Sequence, residues 1–281
     1  MSKKYAAIIG LNPSEGARSP KLWNKVYREI NADIEMICID IKEPSLLNKS
    51  LKNLKDDKDF LGGCIAFPYK EKTAEYLGLT NVDQVSRPIG SVNCLYRSPN
   101  GELKGANTDG DAALSSFLSL VSKNQIKQIL IAGLGGAGKA VATYISQELI
   151  PKGTKIICSS RSNQTSFCQR INVDWFSWDS LQSLISECDA FINCTTIGTG
   201  DQNNLSPIDF RDISTSKLRF VFDIIYDPSP TLLLKQSSKQ NINTKGGLEM
   251  NLLQAVKAFK LVNNFKITTD EILKIMKTSN S

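Results

Sequence analysis

The glycine-rich stretch at residues 133–138 constrains the fold of this chain more than any other feature. The apolar run 129–132 precedes it and apolar residues at helical spacing follow it, so the pattern predicts a strand, a tight turn and a helix. Gly133 permits a sharp exit from the strand, Gly135 lets backbone N–H groups approach a pyrophosphate, and Gly138 lets the helix lie close to the sheet. A phosphate would then lie at the positive end of the helix, which predicts a dinucleotide site; a glycine-rich turn without a ligand is the alternative. The expected cofactor contacts here are Gly133, Gly135, Gly136, Ala137 and Gly138.

The overall composition excludes several classes of protein. With 281 residues and 41% hydrophobic content, the chain is long enough for two domains. Its net charge of +6 comes from scattered Lys and Arg residues, which lack the basic stripe of a nucleic-acid binder. No apolar run reaches the length that a bilayer or a signal peptide requires. The seven cysteines contain no C-x-x-C pair, which predicts reduced thiols, no zinc site and a cytoplasmic protein without nucleic-acid or membrane partners.

The chain contains no histidine, so the commonest general base and metal ligand is absent. Proton transfer must therefore use Lys, Asp, Glu, Tyr or Cys, and no metal site is expected. The Tyr-x-x-x-Lys spacing of short-chain oxidoreductases does not occur either, because Tyr69 and Lys72 are one residue too close.

Strand and helix patterns alternate on both sides of the glycine stretch, which indicates an α/β fold with mostly parallel sheets. In the first half, Ser19-Pro20 predicts a helix N-cap, and residues 98–101 predict a hairpin turn. The predicted strands lie at 5–9, 34–39, 63–67, 128–133, 154–159, 188–193 and 219–224. The predicted helices include 46–54, 71–77, 109–121, 137–149, one from 248 and one at 269–277.

Two polar residues at element boundaries have competing local interpretations. Lys70 follows a predicted strand and a proline at the start of a helix, where a surface lysine is the simple reading although the helix dipole disfavours a cation. Asp109 lies where an aspartate N-cap is favoured. Sequence spacing alone cannot bring the two side chains together.

Seven blocks of sequence, in order, resemble the shikimate dehydrogenase family over nearly the whole chain. They are Pro68-Tyr-Lys-Glu71, Ser91-Val-Asn93, Leu103-Lys-Gly-Ala-Asn-Thr-Asp-Gly110, Gly133-Leu-Gly-Gly-Ala-Gly138, Asn193-Cys-Thr-Thr-Ile-Gly198, Asp223-Ile-Ile-Tyr-Asp-Pro-Ser-Pro-Thr231 and Gly246-Gly-Leu-Glu-Met250 with Gln254.

The resemblance implies a substrate-binding domain at 1–108, to which helices within 246–281 return, and a Rossmann-type NAD(P)-binding domain at 109–245. It implies an oxidoreductase that transfers hydride reversibly between NADP and a secondary alcohol of a shikimate or 3-dehydroshikimate type of cyclic polyol acid. The family acts in aromatic amino acid biosynthesis, in the chorismate pathway. A cytoplasmic monomer or homodimer is expected.

The resemblance also implies roles for individual residues. Lys70 and Asp109 form the catalytic pair at the reacting hydroxyl, since a lysine amine held by a carboxylate can remove or return its proton. The implied substrate-binding residues are Ser19, Asn93, Asn107, Gln254 and Tyr226. Locally, the simpler readings are a turn for the asparagines, a helix surface for Gln254 and a packed aromatic for Tyr226.

Cofactor choice depends on Ser160-Arg161-Ser162, at the end of the second predicted strand of the nucleotide domain. An acidic residue there favours NAD, whereas Arg161 suits the 2′-phosphate of NADP; a plain surface arginine is the alternative, and NAD stays open. The second arginine often found in the family is replaced by Thr165. Together with Asn193 and Gly247, the residues Ser160, Arg161 and Ser162 complete the implied cofactor site.

The substrate end departs from the family pattern. Where the family has Ser-x-Ser-Pro followed by His-Asn, this chain has Ala17-Arg18-Ser19-Pro20 and Trp23-Asn24, and where it has Asn-Val-Thr, this chain has Cys64-Ile-Ala66. The lost hydroxyls predict weaker binding of the shikimate carboxylate, which Arg18 or Ser14 would have to replace. A dehydrogenase for a different hydroxy acid, related to quinate or shikimate, and a catalytically weak nucleotide-binding sensor are therefore alternatives.

Overall fold

The computed structural model describes residues 3–121, 126–211 and 217–278. The chain forms two compact units, one of residues 1–108 with 252–281 and the other of residues 109–251. The second boundary falls inside the helix α9 (Leu248–Val262). In the described residues, no helix combines the length and apolar character that crossing a membrane requires.

The first unit contains a five-stranded sheet in the order β2-β1-β3-β4-β5. The strands are β1 (Tyr5–Gly10), β2 (Glu35–Asp40), β3 (Phe60–Ile65), β4 (Cys94–Arg97) and β5 (Leu103–Ala106). All run in one direction except β4, which is antiparallel to both neighbours. The predicted hairpin turn joins β4 to β5, where the N–H of Gly101 donates to the carbonyl of Ser98 at 2.8 Å.

Helices cover both faces of this sheet. They are α1 (Ser19–Glu29), α2 (Leu47–Asp56), α3 (Lys70–Leu77), α9 and α10 (Thr269–Lys277). Because successive strand residues point to opposite faces, Ala6 and Ile8 pack with α1, α9 and α10, whereas Ala7 and Ile9 pack with α2 and α3. This burial on both sides explains why β1 is a continuous apolar run.

The start of α1 differs from the prediction. Ser19 is the first residue of the helix rather than its N-cap; the N-cap is Arg18, and no side chain caps the helix there. Pro20 still lies in the first turn, where the missing N–H is not needed.

The second unit contains a six-stranded parallel sheet in the order β11-β10-β9-β6-β7-β8. Counted along the unit, this is the 3-2-1-4-5-6 order of a Rossmann fold, so the predicted fold class is confirmed. The strands are β6 (Gln128–Ala132), β7 (Lys155–Ser160), β8 (Asp174–Ser177), β9 (Ala190–Asn193), β10 (Phe220–Asp223) and β11 (Asn243–Lys245). The helices are α4 (Asp109–Leu120), α5 (Gly136–Leu149), α6 (Thr165–Arg170), α7 (Leu181–Ile185) and α8 (Leu232–Lys239).

Candidate active site

The glycine turn joins β6 to α5, and its first and last glycines are required by the fold. Gly133 has a φ of +90°, and a Cβ there would lie 2.9 Å from the backbone of Cys194. A Cβ on Gly138 would lie 1.9 Å from the carbonyl oxygen of Gly133. A side chain at either position would therefore push the helix away from the strand.

Gly135 is different, because the protein itself does not need a glycine there. Its φ of −75° suits any residue, and an added Cβ would meet no atom within 4 Å. It is the N-cap of the 14-residue helix α5 and provides no side chain to cap the helix. A pyrophosphate on the backbone N–H groups of this turn explains the glycine, so these residues fit a dinucleotide.

The turn that was predicted to select the cofactor follows β7. Ser160 is buried; its hydroxyl donates to the carbonyl of Ser162 at 2.7 Å and accepts from the indole of Trp175 at 2.9 Å. Arg161 and the Ser162 side chain are exposed. Within the described residues, Arg161 makes no hydrogen bond or ion pair, so its guanidinium is available to a phosphate, whereas Ser160 shapes the turn.

Asn193, at the end of β9, uses all its hydrogen-bonding groups inside the protein. It is fully buried, and its amide donates to Asp223 at 3.0 Å and to the carbonyl of Ile197 at 3.2 Å. Its carbonyl oxygen accepts from the N–H of Thr195 at 3.1 Å and from that residue's hydroxyl at 2.7 Å. Sequence reasoning gave Asn193 a direct cofactor contact; its side chain instead organises the loop after β9.

Sequence reasoning assigned no role to Asp223, which is fully buried at the end of β10. Its carboxylate accepts from Asn193, from the N–H of Ile225 at 3.1 Å and from the hydroxyl of Thr231 at 2.7 Å. Burial raises its pKa to about 6, and the three hydrogen bonds oppose that rise. A polar residue ending the apolar run Phe220–Phe222 was the available sequence signal.

Gly247 and Tyr226 belong to the same unit. The N–H of Gly247 donates to the carbonyl of Ile225 at 3.0 Å, and a Cβ on Gly247 would lie 2.0 Å from the carbonyl oxygen of Ile224. Gly247 is therefore required by this close approach of two backbone segments. Tyr226, half-buried, lies in the segment that Asp223 and Gly247 hold.

In the first unit, Lys70 is the first residue of α3, as predicted. Its backbone carbonyl accepts from the N–H of Val92 at 2.9 Å, which places it beside the segment that carries Asn93. Asn93 is buried; its amide donates to the hydroxyl of Thr108 at 2.9 Å, and its carbonyl oxygen accepts from the N–H of Thr108 at 2.8 Å. The Thr108 hydroxyl donates to the carbonyl of Gln254 at 3.2 Å.

Asn107 and Asp109 flank Thr108 in the chain. Asn107 is buried, with its N–H donating to the hydroxyl of Ser86 at 2.7 Å and its amide to the carbonyl of Ser91 at 3.0 Å. Asp109 is buried as the first residue of α4 and begins the second unit. The structure thus brings Lys70, Asn93, Asn107 and Gln254 into one hydrogen-bonded region; the pairing of Lys70 with Asp109 stays a prediction.

The altered carboxylate end also lies in the first unit. Ala17 and Ala66 are half-buried against the core cluster that contains Trp23. Trp23 is fully buried, with its ring edge-on to Phe259, and within the described residues its indole N–H has no partner. Ser19 is 6% exposed.

Ser14 does not compensate for the lost hydroxyls. Its hydroxyl and its N–H both donate to Asp40, and these bonds hold the pKa of that carboxyl below its usual value. A second anion at Ser14 would meet the Asp40 carboxylate. Arg18 therefore stays the candidate for a new carboxylate contact.

No group of three or more His, Cys, Asp or Glu side chains suited to a metal occurs in the ranges 3–121, 126–211 and 217–278. The cysteines in these ranges are free thiols.

A sequence family described as the shikimate dehydrogenase substrate binding domain matches residues 8–95. The shikimate dehydrogenase (NADP(+)) of Methanosphaera stadtmanae is 32% identical, covering 90% of this chain and 89% of its own. The enzyme of the same name from Alkaliphilus metalliredigens is 30% identical, covering 92% and 91%. Among solved structures, shikimate dehydrogenase from Aquifex aeolicus superposes with a TM-score of 0.79 at 25% identity, covering 98% of each chain. One in complex with NADP+, at 24% identity, has a TM-score of 0.80 and covers 98% of this chain and 94% of its own, which shows the shared fold.

The Rossmann sheet, the glycine turn and the second α/β unit together define a dinucleotide-binding type of oxidoreductase fold. The sequence relatives narrow this class: the chain belongs to the shikimate dehydrogenase family.

Proposed function

We propose that the protein catalyses the reversible, NADP-dependent oxidation of shikimate, or of a closely similar cyclic polyol acid, to the 3-dehydro ketone. The first unit binds the substrate and the second binds the dinucleotide. The observation that carries this proposal is the buried polar region around Asn93, which joins the Lys70 segment to Asn107 and Gln254 within a family whose relatives are shikimate dehydrogenases. The protein acts in the cytoplasm, as a monomer or homodimer.

Lys70 supplies the proton transfer. Oxidation of a secondary alcohol requires removal of the hydroxyl proton as the carbonyl forms, and the amine of Lys70 accepts that proton while Asp109 stabilises the ammonium. In reduction the same amine returns the proton to the carbonyl oxygen. The bound nicotinamide supplies the hydride chemistry. With no histidine in the chain, Lys70 is the base that the family pattern leaves in place.

Carboxamides give the site its selectivity for hydroxyl groups. Asn93, Asn107 and Gln254 hold the ring hydroxyls, and Ser19 and Tyr226 contact the substrate. A site built to hydrogen-bond hydroxyls rejects analogues that lack them, because its buried amides would be left unpaired. The carboxylate contact is weaker than in relatives with both hydroxyls, so a related hydroxy acid is the second candidate substrate, favoured by Ala17 and Ala66.

Arg161 and Ser162 select NADP over NAD. The exposed guanidinium at the end of β7 pairs with the 2′-phosphate, which NAD lacks. The glycine turn holds the pyrophosphate in either cofactor. Discrimination therefore rests on one arginine.

Steady-state kinetics test the proposal, with shikimate and quinate as substrates and NADP and NAD as cofactors. We expect turnover of shikimate with NADP, a loss of about 100-fold or more in Lys70→Ala, and little change in Lys72→Ala, an exposed lysine two residues away. Arg161→Ala should raise the KM for NADP about tenfold and leave that for NAD unchanged. NADP binding without turnover of either acid would support the alternative of a nucleotide-binding sensor instead.

A further inference from the structure

Asp223 and Asn193 lie in one row with the end of the glycine-turn strand. Along the sheet, Ala132 of β6 is paired with Asn193 of β9, and Asn193 is paired with Asp223 of β10. Ala132 is the last residue before Gly133, whose Cα lies against Cys194. The two polar side chains therefore lie at the carboxyl edge of the sheet, next to the switch between β6 and β9, where ligands of such folds bind.

This buried pair closes two loops at once. Asn193 folds the segment 194–197 over itself through Thr195 and Ile197. Asp223 holds the segment 224–231 at both ends, through the N–H of Ile225 and the hydroxyl of Thr231. That hydroxyl also caps α8 by accepting from the N–H of Leu234 at 3.3 Å.

The segment held by Asp223 carries the residues assigned to the nicotinamide side of the site. Tyr226 lies in it, and the carbonyl of Ile225 accepts from Gly247. The adenosine side uses different elements, namely the turn after β7 with Arg161. A change at Asp223 therefore acts on one half of a dinucleotide and not on the other.

We propose that Asp223 is a positioning residue that, through Asn193 and Thr231, fixes the two loops that hold the nicotinamide half of the cofactor for hydride transfer. The proposal rests on the proposed function. Asp223 has no accessible surface, so it acts through the loops and not by touching the cofactor. Asn193 is part of the same device, because every group of its amide is used in holding the loops.

Binding of two nucleotides to Asp223→Ala tests this directly. NADPH carries both halves of the cofactor, whereas adenosine 2′,5′-bisphosphate carries only the half bound near Arg161. We expect Asp223→Ala to weaken NADPH about tenfold, the worth of a lost hydrogen bond, and to leave adenosine 2′,5′-bisphosphate within about twofold of wild type. The kcat should fall roughly 10- to 100-fold, as expected when the reacting atoms are misplaced.

Ser237→Ala is the matched control for a general loss of stability, because it also removes a fully buried hydrogen-bonding side chain from the second unit. It should leave both affinities and kcat unchanged. Equal weakening of the two nucleotides in Asp223→Ala, or an unchanged kcat and NADPH affinity, would overturn the proposal. A wild-type protein that binds NADPH but does not oxidise shikimate would instead contradict the proposed function, and the two binding constants would still decide the role of Asp223.

Asp223→Asn keeps the test valid if the alanine variant does not fold. Its amide oxygen still accepts from Asn193 and Ile225, so we expect most of the kcat to be retained at pH 8. In wild type, protonation of Asp223 below about pH 6 removes an acceptor, so kcat should rise with pH through that value, and Asp223→Asn should lack this rise. The groups that contact the carboxylate are neutral, and the nearby thiol of Cys194 has its pKa raised by burial and stays protonated. The same rise in both proteins would overturn the assignment.

Discussion

Two alanines, Ala17 and Ala66, set the residue-scale character of the substrate end. Both lie half-buried against the cluster around Trp23, at positions where the family has hydroxyl side chains. An alanine there leaves a substrate carboxylate without two donors. Because Ser14 is already bonded to Asp40, the loss is not made good by the neighbouring loop.

Restoring the hydroxyls should improve shikimate binding. A hydrogen bond to a charged group is worth about 1.5–3 kcal/mol, so Ala17→Ser and Ala66→Thr should each lower the KM for shikimate about tenfold. Steady-state kinetics with shikimate and with its methyl ester separate the effect, since the uncharged ester should gain much less. An unchanged KM for shikimate in the double variant would show that its carboxylate lies elsewhere.

Asp223 gives a pH dependence of stability whose sign follows from its raised pKa. The folded protein binds this proton more tightly, with a pKa of about 6, than the unfolded chain, whose value is 3.8. The contribution of Asp223 to the free energy of unfolding is therefore greatest below about pH 4, falls as the pH rises to about 6 and is constant above. Since each tenfold change in proton affinity is worth about 1.4 kcal/mol, the total change is on the order of 3 kcal/mol.

Urea unfolding of wild type and Asp223→Asn at several pH values measures this contribution, because the other groups titrate in both proteins. The wild type should lose stability relative to Asp223→Asn between pH 4 and pH 7. A constant difference between the two proteins would contradict the raised pKa.

The glycines could be predicted from the sequence, but the Asp223 network could not. Gly133 and Gly138 are needed for local backbone geometry, and local geometry leaves a spacing pattern. Asn193 and Asp223 are 30 residues apart, and only the strand register brings them together. For the same reason Asn193 was given a cofactor contact that its saturated side chain does not support.

At the scale of elements, the end of α2 depends on one side chain from β4. Arg97 donates to the carbonyls of Leu54, Lys55 and Asp57 at 2.9, 3.0 and 2.8 Å. It also donates to the carbonyls of Phe60 and Gly101. A helix end leaves carbonyls without partners, and a planar guanidinium satisfies several of them while its charge suits the negative end of the dipole.

Replacing Arg97 should therefore destabilise the first unit. We expect Arg97→Met to lower the free energy of unfolding by on the order of 3 kcal/mol, because buried carbonyls lose a charged donor. Arg97→Lys should recover little of it, since an ammonium has fewer donors and no fork geometry. Urea denaturation measures both, with Arg87→Met as the control because Arg87 gives only one such bond, to Val82. Equal losses in the two methionine variants would refute the special role of Arg97.

The elements that sequence reasoning missed lie mostly at the sheet edges. β8 and β11 are short outer strands of the Rossmann sheet with little buried surface, so they lack the apolar run that identified β6 and β9. α8 follows two prolines, and its N-cap Thr231 is visible as a cap only once Asp223 is placed beside it. The central strands could be predicted because burial on both faces demands continuous apolar sequence.

At the scale of the whole molecule, the fold class was predictable because two signals agreed. The alternation of strands and helices indicated α/β units, and the glycine turn identified one of them as a Rossmann fold. The return of the C-terminal helices to the first unit came only from the family resemblance, since no local pattern encodes a partner so distant in sequence. The catalytic pair likewise joins residues that the sequence separates, with Lys70 in the first unit and Asp109 at the start of the second.

The kcat of a double-mutant cycle on Lys70 and Asp109 tests the central claim most directly. If the amine and the carboxylate act as one unit on the substrate hydroxyl, Lys70→Ala and Asp109→Asn should each lower kcat by about 100-fold or more, and the double variant should be little worse than either. Asp111→Asn, in the same helical turn, is the control and should leave kcat unchanged. Losses that multiply in the double variant, or a Lys70→Ala enzyme with wild-type turnover, would contradict the account.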